Sequence, residues 1–68
     1  MTYSQEELLE AQRQIDSILH KLRQSVKSLE EKGDPTRYRS QITLANRRIQ
    51  ALSIALSLIE RERSDSLH

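Results

Sequence analysis

The sequence predicts an all-α fold: an antiparallel two-helix hairpin, coiled-coil-like, that dimerises into a four-helix bundle. Three observations lead there. The only glycine and the only proline fall together at Lys32-Gly33-Asp34-Pro35, almost at the midpoint of 68 residues. Apolar residues repeat in heptads on both sides of that point. The second half also carries a further apolar stripe that the first half lacks. One domain over 1–68 is expected, with helix 1 at 5–32, a turn at 33–34, helix 2 at 35–63 and a frayed tail at 64–68.

Helix 1 announces its start twice. Ser4-Gln5-Glu6-Glu7 has the form of a capping box, in which the serine hydroxyl and the glutamate side chain each bond the other's backbone N–H. Tyr3 and Leu8 occupy the flanking positions of a hydrophobic staple. Glu6, Glu7 and Glu10 place negative charge where the helix dipole favours it. Leu8, Ile15, Leu22 and Leu29 then recur every seven residues, with Gln12, Leu19 and Val26 between them. Ala11 and Ile18 widen the stripe, and the rest is polar, so one face is buried and the other wetted.

Gly33 suits the left-handed residue that closes a helix. Asp34 suits the next N-cap, and Pro35 the first turn, where no N–H is needed. In helix 2, Tyr38, Ala45, Leu52 and Ile59 form one row and Ile42, Ile49 and Leu56 the other. Folding the chain at the turn pairs residues whose numbers sum to 67 or 68. Seven layers result, from Leu29–Tyr38 to Leu8–Ile59, without a slip. Two independent heptad patterns agreeing in register supports turn and pairing together. Only Gln12 interrupts the apolar seam. It reads as a partly exposed amide near an end, in preference to a buried residue that sets register.

Helix 2 has more apolar surface than the hairpin can use. Leu44, Ala51 and Leu58 recur at one further heptad position, with Ile54 and Ala55 beside them. Two helices make one seam and no enclosed core, and so short a chain needs a staple or a partner. There is no cysteine to supply a disulfide. The sequence therefore points to self-association through Leu44, Ala51, Ile54, Ala55 and Leu58, as a homodimer. Another helical protein is the other occupant considered for this face.

Charged residues make up 31% of the chain, yet the net charge is +1. Basic residues gather in the loop half, acidic ones at the open end formed by the two termini. Lys21, Arg23, Lys27, Arg37, Arg39, Arg47 and Arg48 are candidates for contact with nucleic acid or an acidic partner. Their unequal positions around the helices, and the lack of aromatic residues for base stacking, make this the lesser expectation.

No chemistry is legible. His20 and Asp16 share one helix face, but no third metal ligand accompanies them, and His68 lies in the tail. No nucleophile has a base beside it, and one glycine makes no phosphate loop. A non-enzymatic protein-binding or assembly module without cofactor is expected. No apolar run approaches the ~20 residues of a membrane span, and a cytoplasmic setting is expected from the absence of targeting signals. In outline the chain resembles the small Rop-type hairpins that dimerise into four-helix bundles, some of which bind RNA. That likeness is one of shape, with no motif matched residue by residue, and the alternative function it implies is a small nucleic-acid-binding regulator.

Overall fold

A computed structural model describes residues 2–33 and 35–66, with no side-chain description for Pro35 and Ser66. Two helices, α1 (Gln5–Glu31) and α2 (Pro35–Ser66), pack against each other, and the described residues hold no strand. The molecule measures 49 × 15 × 15 Å. Its length is that of α2, whose 32 residues at about 1.5 Å each span about 48 Å.

The capping box forms as its sequence requires. Glu7 N–H donates to Ser4 Oγ over 3.0 Å, and Ser4 N–H donates to Glu7 Oε1 over 3.1 Å. Ser4 itself is extended, with φ −70° and ψ 160°, so the chain enters α1 from outside the helix axis. At the other end Lys32 is the cap and Gly33 follows with φ +80°. Gly33 N–H donates to Glu30 C=O over 3.4 Å, which satisfies one of the carbonyls a helix end leaves open. Asp34, expected to cap α2, lies outside the described residues. The second helix begins at Pro35, as expected.

The seam follows the heptads. All fourteen seam positions are buried or half-buried, and Leu8, Leu19, Val26 and Ala45 are the most enclosed. Leu19, 2% exposed, is the deepest. Leu8 and Ile59, expected to share the last layer, line the same two surface depressions. At the turn, Tyr38 is half-buried, with Lys32 Nζ 5.3 Å and Arg37 Cζ 5.6 Å from its ring centre. Both cations lie within the range at which a ring face attracts them.

The end of α2 departs from expectation. Residues 64–66, expected as part of a frayed tail, continue the helix to Ser66, while residues 67–68 lie outside the described set. No glycine or proline after Pro35 stops the helix. Arg63 also extends the row Ile42, Ile49, Leu56 into the seam. There its guanidinium Nη1 donates to Gln12 Oε1, a link between residues 51 apart in the chain. Helical side chains lean toward their own N-terminus. In antiparallel helices Arg63 leans back along the seam and Gln12 leans out toward the open end, so the two meet. Gln12 is therefore partly exposed, as expected, and in addition bonded across the seam.

Candidate functional site

What most sets this hairpin apart is the apolar surface it leaves uncovered. On α2, Leu44 is 48% exposed, Ile54 55% and Leu58 58%. Ala51 is exposed and Ala55 half-buried. At about 100° per residue, the row Leu44, Ala51, Leu58 lies about 120° around α2 from the seam, so α1 cannot cover it. The first helix has one exposed large apolar residue within its length, Ile18, at 44%.

These residues share a face. Tyr3 lines two adjoining shallow depressions at the open end. One also includes Leu58 and Glu62, and the other Glu7 and Ala11. Ala11 stands one heptad before Ile18. The Ala11–Ile18 row of α1 and the Leu58 row of α2 thus border one side of the hairpin, with Tyr3 between them at its end.

The total area is also large. A compact protein of 8.0 kDa exposes about 4,450 Å², whereas this chain exposes 5574 Å². Its radius of gyration is 15.3 Å, against about 11 Å for a compact domain of this length. The excess, about 1,100 Å², goes with the elongated 49 × 15 × 15 Å shape of a single hairpin.

The basic residues do not gather into one site. Lys21, Arg23, Lys27, Arg37, Arg39, Arg47 and Arg48 are all exposed. Arg39 and Arg48 are nine residues apart, half a turn at about 100° each, so they stand on opposite sides of α2. Arg39 alone of the seven borders the open groove formed with Thr36, Ile42 and Thr43.

Among the described residues no three His, Cys, Asp or Glu side chains come together as metal ligands would. His20 is exposed, and His68 lies outside the described residues. No described helix is long and apolar enough to cross a membrane. The chain matches no protein-family model, no curated protein and no solved structure.

Sequence reasoning missed one feature of this region, the Arg63–Gln12 link. Its signal was present: Arg63 stands seven residues after Leu56, and Gln12 is the polar position of the other heptad.

Proposed function

We propose that this protein is a non-enzymatic assembly module. It pairs with a second copy through the outer face of α2 to build a four-helix bundle. The observation that carries this reading is the half-exposure of Leu44, Ile54 and Leu58 on one helix of a chain with no cysteine to form a disulfide. Burying each such side chain contributes up to about 1.5–3 kcal/mol. That is large beside the stability of so small a domain. The reading as a nucleic-acid-binding regulator has less support, because the exposed cations divide between opposite sides of the hairpin.

Light scattering coupled to size exclusion tests the proposal. A mass near twice 8.0 kDa at micromolar concentration is expected, together with a melting temperature that rises with protein concentration. Leu58→Glu should dissociate the dimer and lower helicity. A folded monomer with a concentration-independent melt would overturn the proposal without recourse to any variant.

A further inference from the structure

The outer row of α2 specifies how two copies would pair. One residue in seven along that row reads Arg37, Leu44, Ala51, Leu58, Asp65, and each of the five is exposed. The row is a palindrome in size, with Ala51 at its centre, a leucine on either side and a charge at each end. Only the sign of charge breaks the palindrome. A row of this kind is complementary to its own reverse. When two copies run antiparallel with Ala51 opposite Ala51, Leu44 meets Leu58 of the second copy. Arg37 then meets Asp65 of the second copy, and the same contacts repeat across the axis. A parallel pair would set Arg37 against Arg37 and Asp65 against Asp65, which costs free energy at both ends.

We infer that the hairpin forms an antiparallel, two-fold dimer. Its axis crosses α2 at Ala51, and α2 packs on α2 of the second copy. This rests on the assembly reading above and adds orientation, register and axis to it.

Three further observations fit this axis and no other register so well. First, folding the chain at its turn puts Ile18 level with residues 49–50, about one residue from Ala51 along the bundle. Ile18 borders the same face as the α2 row. A two-fold axis at that level therefore lies level with the one large apolar side chain that α1 leaves exposed within its length. Second, the small side chain of Ala51 lets the two helices approach closely where their backbones cross. A strict seven-residue row calls for the shallow crossing, about 20°, of a left-handed bundle. Third, the register places Arg47 beside Ile54 of the second copy and Arg48 beside Ala55 of the second copy, each pair on one flank of the row. Arginine stems can lie over apolar neighbours there while their guanidinium groups stay in water. Arg47 and Arg48 thus serve as the rim of the interface.

The chain has no cysteine of its own, so single cysteines can map the pairing in the full-length protein. Ala51→Cys should oxidise to a disulfide-linked dimer, since a bond needs Cα atoms within about 7 Å. Leu44→Cys and Leu58→Cys should cross-link when mixed and fail to link when alone. Links of 44 to 44 and 58 to 58 would overturn the antiparallel arrangement. A dimer by mass in which Ala51→Cys stays reduced would overturn the register. A monomer by mass would instead remove the assembly reading, and this inference with it. Asp65→Arg keeps the seam intact and supplies a second measurement. It should raise the dissociation constant roughly two- to thirtyfold. Adding Arg37→Asp should restore it; failure of that rescue would mean the two charges do not face each other.

Discussion

The two helices of this hairpin are nearly equal in average hydropathy and unlike in its distribution. The first helix concentrates its apolar residues into one stripe and is wet elsewhere. The second spreads them over more than half its circumference, so part of its apolar surface faces the seam and part faces solvent. Average composition would call the helices interchangeable. Their arrangement assigns them different work: α1 has one partner, which it finds within its own chain, and α2 has a second face that the chain does not cover.

The largest test of this difference lies in the seam. Leu19→Ala, at the deepest position, should cost about 2–5 kcal/mol. Its loss should appear at every protein concentration in a denaturant melt. Leu58→Glu, described above, should act instead through concentration. If both variants respond identically to dilution, the two faces of α2 are not energetically distinct.

The turn that separates the helices comes next. Gly33 has φ +80°, and nothing lies within 4 Å of where a Cβ would stand. The cost of a side chain there is thus conformational and not steric crowding. Gly33→Val should lose about 1–2 kcal/mol or more, and Gly33→Asn noticeably less, because Asn tolerates the left-handed region. Equal losses would mean that some crowding at the turn, not its backbone angle, sets the requirement.

The smallest effect belongs to the Gln12–Arg63 link across the seam. Gln12→Ala should cost about 0.5–1.5 kcal/mol through the lost bond to Arg63. Arg63 Nε is already buried without a hydrogen-bond partner among the described residues, so this end of the seam has little reserve. Amide hydrogen exchange should show the loss as faster exchange in the last turns of α2, with the rest of the hairpin unchanged.

Most of the fold was legible because the rules that make it are local or periodic. Ser4 and Glu7 are three residues apart, Gly33 acts on its own φ, and the seam repeats every seven residues. The end of α2 was misjudged for the opposite reason. Ser64-Asp65-Ser66 has weak helix preference and no apolar residue, so local signals end the helix early. What accompanies its continuation is a contact with Gln12, 51 residues away. The exposed stripe was legible as a surplus of apolar positions over what one seam can bury. The charge split between loop half and open end already suited an antiparallel pairing, and only the proposed register, with Arg37 against Asp65, needed the row read against its own reverse.

The Gln12–Arg63 link has a further consequence in time. Contacts along this hairpin grow steadily in sequence separation from the turn to the open end. The cheapest loops to close are those around Gly33, and the Gln12–Arg63 contact spans nearly the whole chain. The hairpin should therefore close like a zipper from the turn outward, with that link and the Leu8–Ile59 layer, each spanning 51 residues, formed last. Variants at Gly33 should slow folding, while Gln12→Ala should leave the folding rate almost unchanged and speed unfolding. Stopped-flow refolding separates the two, and the polar pair near the open end would then help govern how long the closed hairpin lasts.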